Sequence, residues 1–103
     1  MTDQQLVEVF YNDSVSGEAV LTFDGHVVER FTTNISESVR VHASQIAVRL
    51  KGPGRKGVLE VQLTRRNVRL VALVLWVDEA NYAAIQPVLQ ALAEAGVPQT
   101  PWQ

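Results

Sequence analysis

Alternation of apolar and polar residues runs through the first three quarters of the chain, the mark of strands with one face buried. Leu6 to Tyr11 is apolar enough for a first strand, and Asn12 to Gly17 follows as a polar loop. Ala19, Leu21 and Phe23 alternate with Glu18, Val20 and Thr22, which gives one strongly apolar face. Asp24-Gly25 predicts a type I′ hairpin turn, whose two central positions both need positive φ. His26 to Phe31 is then the returning strand, and Thr32 to Ser36 reads as loop.

Val39, Val41 and Ala43 alternate with Arg40, His42 and Ser44, after which Ile46, Val48 and Leu50 carry the opposite parity. A one-residue change of parity exchanges the two faces, so a bend or bulge is expected near Ser44. Gly52 to Gly57 is turn chemistry throughout, Leu59, Val61 and Leu63 alternate again, and Arg65-Arg66-Asn67 is a further turn. The last strand, Val68 to Val77, differs from the others because Leu70 to Val77 is apolar on both sides. Such a strand is covered on both faces or lends one of them to another subunit.

Helical spacing replaces alternation after Asp78, a good N-cap, with Glu79 in the first turn suiting the positive end of the dipole. Tyr82, Ile85, Leu89 and Leu92 share one face, and Gly96 is a natural stop. Pro87 lies off that stripe and predicts a kink opening toward solvent. Residues 98–103 read as an irregular tail behind a single domain over 1–97.

Composition narrows the class. A chain of 103 residues, 47% apolar and 19% charged, fits one folded domain, too apolar for disorder and too interrupted by charge for a membrane span. There is no cysteine and the first residues have neither a basic nor an apolar leader, so a cytoplasmic location is expected and two Asn-x-Ser sequons are read as chance. Net charge is −2 but unevenly spread. Residues 1–39 carry Asp3, Glu8, Asp13, Glu18, Asp24, Glu29 and Glu37 against Arg30, whereas residues 49–69 carry Arg49, Lys51, Arg55, Lys56, Arg65, Arg66 and Arg69 against Glu60.

Most chemical motifs dissolve on inspection. Gly52-Pro53-Gly54-Arg55-Lys56-Gly57 has the letters of a dinucleotide-binding loop, but a strand follows it rather than a helix N-terminus, and no cofactor is expected. His26 and His42 are an incomplete set for zinc. The serines lie in polar loops without a G-x-S-x-G elbow, and Glu8, Glu18, Glu29 and Glu60 alternate with apolar residues as a solvated sheet face. The basic residues Arg55, Lys56, Arg65, Arg66 and Arg69 are the candidate anion or partner site. They form one site only if two neighbouring loops fall at the same end of the sheet, and consecutive hairpins alternate ends. Trp76 is core or interface, and Trp102 sits in a proline-flanked tail.

The order of about seven strands and one closing helix resembles the pleckstrin-homology (PH-like) superfold. Thr22-Phe23-Asp24-Gly25, the run Val39 to Val48 before a Gly-Pro turn, and the helix with Tyr82, Ile85 and Leu89 are similar to small bacterial PH-like domains. The resemblance covers Ala19 to Leu92, is a likeness of pattern, and implies a sheet sandwich or partly open barrel plugged by the helix. It also implies a binding scaffold. Phosphoinositide-binding members carry Lys and Arg in the loop joining their first two strands, and here that loop is acidic or neutral, which argues against lipid headgroups.

The expectation is therefore an α+β fold, mostly β with one C-terminal helix, serving as a non-catalytic module for a protein or peptide. Self-association is expected through the two-sided strand, with Val71, Leu73, Leu75 and Trp102 as the candidate interface. The alternative is anion or nucleic-acid binding through the basic loops at residues 55–69. Against nucleic acid stands the lack of aromatics among those basic residues.

Overall fold

The computed structural model describes residues 6–32, 38–54, 56–66 and 70–100. β1 (Val7–Asp13), β2 (Gly17–Phe23), β3 (Val27–Thr32) and β4 (Val39–His42) form an antiparallel meander in the order β1-β2-β3-β4. β5 (Ile46–Lys51), β6 (Leu59–Arg65) and β7 (Val71–Val77) form a second antiparallel set. A two-residue strand, β8 (Gln99–Thr100), adds to this second sheet in parallel with β5, giving the order β7-β6-β5-β8. The fold is mostly β with a C-terminal helical segment. Among the described residues the two sheets do not join into a closed barrel.

The parity change expected near Ser44 is a 3₁₀ turn, Ala43–Gln45, between β4 and β5. It carries the chain from the first sheet to the second, so inward-facing residues stay inward on both. Val9, Tyr11, Ala19, Leu21, Phe23 and Val28 meet Ile46, Val48, Val61, Leu63, Leu73, Leu75 and Val77 in one core.

The helix is in two pieces, α1 (Glu79–Ala84) and α2 (Gln86–Glu94). Asp78 caps α1 as expected, its carboxylate accepting from the Asn81 N–H. Pro87 has no N–H to give to the Ala83 carbonyl, so the helix restarts at Ile85, with Pro87 in the first turn of α2, where a proline is tolerated. Ile85, Val88, Leu89 and Leu92 are buried, and Tyr82 is half-buried. At the end of α2 the Gly96 N–H donates to the Ala93 carbonyl and the Val97 N–H to that of Leu92. Gly96 has φ +89. This is the Schellman arrangement, closed by the buried pair Leu92 and Val97.

Four details differ from the sequence expectations. The Asp24-Gly25 turn is not type I′, because no residue but glycine has positive φ among those described. Instead the Asp24 carboxylate accepts from the N–H groups of His26 and Val27, and Gly25 alone takes φ +99. β1 extends two residues further, to Asp13. The tail yields β8, anchored by the Val48 N–H donating to the Pro98 carbonyl. Lastly, the segment expected as one kinked helix is two, α1 and α2, which pack against β1 and β2, with α1 also meeting β7. Ala72, Val74 and Trp76 are half-buried on β7, with Gln62 opposite Val74 and Glu60 opposite Trp76 across the strands.

A polar bridge crosses the core between the sheets. By parity with Val9 and Tyr11, Asp13 points inward, and its side chain is fully buried beside the Arg30 guanidinium at 3.7 Å. One Asp13 oxygen accepts from the N–H groups of Val15 and Ser16, the other from the Tyr11 hydroxyl and the Trp76 N–H. Arg30 donates to the Val74 carbonyl at 2.8 Å, and the Ser14 N–H donates to that of Trp76. First-sheet residues thus bind the backbone of β7, with both Asp13 oxygens engaged and the buried Arg30 Nε left without a hydrogen-bond partner.

Candidate functional site

The outer face of the first sheet holds an open groove of about 540 Å³. Its floor is a row of directly opposed residues on three strands: Phe10 on β1 faces Val20 on β2, and Val20 faces Phe31 on β3. Phe10 is 72% exposed and Phe31 41%. Asn12, Glu18, Thr32 and Asn81 complete the rim. Asn81, on α1, accepts from the Asn12 N–H at 2.8 Å, tying the helix to the edge strand at the mouth of the groove.

The same sequence interval repeats on all three strands, Glu8-x-Phe10, Glu18-x-Val20 and Glu29-x-Phe31. Neighbouring strands run in opposite directions, so the carboxylates fall on both sides of the apolar row. Glu8 and Glu29 lie on one side, each opposite Thr22, and Glu18 lies on the other, opposite Asn12. Glu29 meets Arg40 at 3.9 Å on the surface, while Glu8 and Glu18 make no ion pair among the described residues. The lone base of residues 1–39, Arg30, is consumed inside by Asp13, so the acidic excess of this half is expressed outward.

The basic candidates are dispersed. Lys56 lies in the β5–β6 turn, and Arg65 and Arg66 lie at the opposite end of β6. A seven-residue strand separates these ends by about 20 Å. Arg66 donates from Nε to the Ile46 carbonyl and from its terminal nitrogen to that of Ala43, and Arg65 donates to Gln45. Both hold the 3₁₀ crossing in place. Arg55 and Arg69 lie outside the described residues.

The candidate interface also divides. Leu73 and Leu75 are core residues, because their positions on β7 face the first sheet. Val71 is 46% exposed, beside exposed Leu70. Trp102 lies outside the described residues. His26 and His42 line one pocket with Ser44 and Arg66, whose guanidinium opposes a cation there. Among the described residues no three His, Cys, Asp or Glu side chains gather as metal ligands do. No described helix is long and apolar enough to cross a membrane.

Sequence reasoning placed Glu8, Glu18 and Glu29 on a solvated face but missed that Phe10, Val20 and Phe31 share it. Parity carried the signal: residues two apart on a strand share a side. No protein-family model, curated protein or solved structure matches this chain.

Proposed function

We propose that this chain is a PH-like, non-catalytic interaction module that binds a protein or peptide across the outer face of its first sheet. The element order supports the PH-like reading: a four-stranded meander, three further antiparallel strands and a C-terminal helix packed against β1 and β2. The binding reading rests on one observation, the solvent-facing row of Phe10, Val20 and Phe31 in this open groove. Two exposed phenylalanines, on β1 and β3 to either side of Val20 on β2, keep apolar surface in water that a partner would cover at a gain of about 25 cal/mol per Å².

The test is a Phe10→Ser/Phe31→Ser double variant. Its melting temperature should stay near that of the parent, since both side chains already face solvent. Its partner, identified by mass spectrometry from native extract and then reconstituted from purified components, should be lost. A Lys56→Glu control should keep it. If the double variant retains the partner at full affinity, this face is not the docking surface. Light scattering of the purified chain separates a second copy from a foreign partner.

A further inference from the structure

We infer that the segment docking on this face is basic as well as apolar, alternating Lys or Arg with hydrophobic side chains. This rests on the docking face proposed above and adds the chemistry of what it takes. A partner side chain seated over Phe10, Val20 and Phe31 brings its neighbours to Glu8 on one side and Glu18 on the other, because the apolar row runs between Glu8 and Glu29 on one side and Glu18 on the other. Neither carboxylate has a cation of its own among the described residues. An acidic or neutral segment in the groove would reduce the hydration of these carboxylates without compensation, whereas a Lys or Arg supplies the missing charge. The exposed rings of Phe10 and Phe31 offer a second attraction to the same cations through their faces. Charge of this kind selects among apolar partners and speeds encounter more than it adds affinity.

The probes are three short synthetic peptides, alternating lysine with leucine, glutamate with leucine, and lysine with serine, titrated into the full chain and followed by NMR. The lysine–leucine peptide should shift the signals of Phe10, Val20, Phe31 and Glu18, with an affinity that falls as salt is raised. The other two should leave those signals in place. A Glu8→Lys/Glu18→Lys variant should bind the lysine–leucine peptide roughly tenfold more weakly and gain the glutamate–leucine peptide, because each reversal turns an attraction into a repulsion. Equal binding of the lysine–leucine and glutamate–leucine peptides overturns the inference. So does the absence of any shift at millimolar peptide, the weak end of specific recognition at about −4 kcal/mol. Shifts of the same signals that depend on protein concentration alone make the occupant a second copy and also overturn it. The two readings fail separately. If the native partner is lost from the phenylalanine variant but kept by the charge-reversed one, the docking face stands and the basic rule falls.

Discussion

At the scale of single residues, Asp13 joins the first sheet to the backbone of β7 through one buried carboxylate. It receives four hydrogen bonds, from Tyr11, Val15, Ser16 and Trp76, and lies beside a buried guanidinium. Asp13→Ala strands all of these donors and leaves Arg30 uncompensated, and the expected loss is about 3–5 kcal/mol in urea unfolding. Arg30→Met in the Asp13→Ala background removes both charges and should recover part of that loss, a non-additivity a double-mutant cycle measures directly. Tyr11 reports on the same bridge through pH. Burial pushes its phenol far above the ordinary value of 10.0, and the Asp13 carboxylate pushes it further. The neutral phenol is the form the fold holds, so its contribution is intact below about pH 10. Above that the unfolded chain ionises first and binds fewer protons than the folded one, so stability falls as pH rises. Tyr11→Phe should flatten this alkaline decline relative to the parent when urea midpoints are compared from pH 8 to 11.

At the scale of elements, two glycines serve turns in different ways and should answer differently to alanine. Gly96, at φ +89, closes α2 with open space around its missing Cβ, so Gly96→Ala should cost about 1–2 kcal/mol for the left-handed backbone alone. Gly52, at φ +111, would bring a Cβ to 3.1 Å from the Gly54 nitrogen and 3.2 Å from the Val58 carbonyl oxygen. Gly52→Ala should therefore lower the melting temperature further than Gly96→Ala. Gly96, the Asp78 cap and the parity change near Ser44 were all legible in the sequence, because each depends on residues within a few positions of one another. The Asp24 turn was misread for a local reason: its carboxylate accepts two backbone N–H groups that the dipeptide pattern alone does not weigh. β8 and the Asp13–Arg30 bridge were not legible, since both depend on partners brought close only by the fold. The candidate site lay between these cases. Its alternation was visible strand by strand, but the row Phe10, Val20, Phe31 required the cross-strand register.

At the scale of the whole molecule, the uneven charge along the sequence becomes two unlike halves joined at one 3₁₀ crossing. The first sheet turns carboxylates outward around an apolar row, while the second sheet's basic residues are spread over both ends of β6 and the crossing. Of the apolar strand, Leu73, Leu75 and Val77 enter the common core, while Ala72, Val74 and Trp76 on its other face are half-buried. Leu75→Ala should cost about 2–5 kcal/mol as a buried cavity, whereas Val71→Ala, at a surface position, should stay within about 0.5 kcal/mol. Thermal melts of the two variants side by side check the assignment.

Parallel pairing at Gln99 and Thr100, with the Pro98 carbonyl on the Val48 amide, covers the outer margin of β5. Cutting the chain after Val97 strips that cover and leaves the Val48 amide without its acceptor. A bare strand margin recruits other chains lengthwise, so the shortened protein should precipitate or form higher oligomers on warming, visible by size-exclusion chromatography. Insolubility in a trimmed version would thus trace to a lost selvedge and carry no information about partner binding.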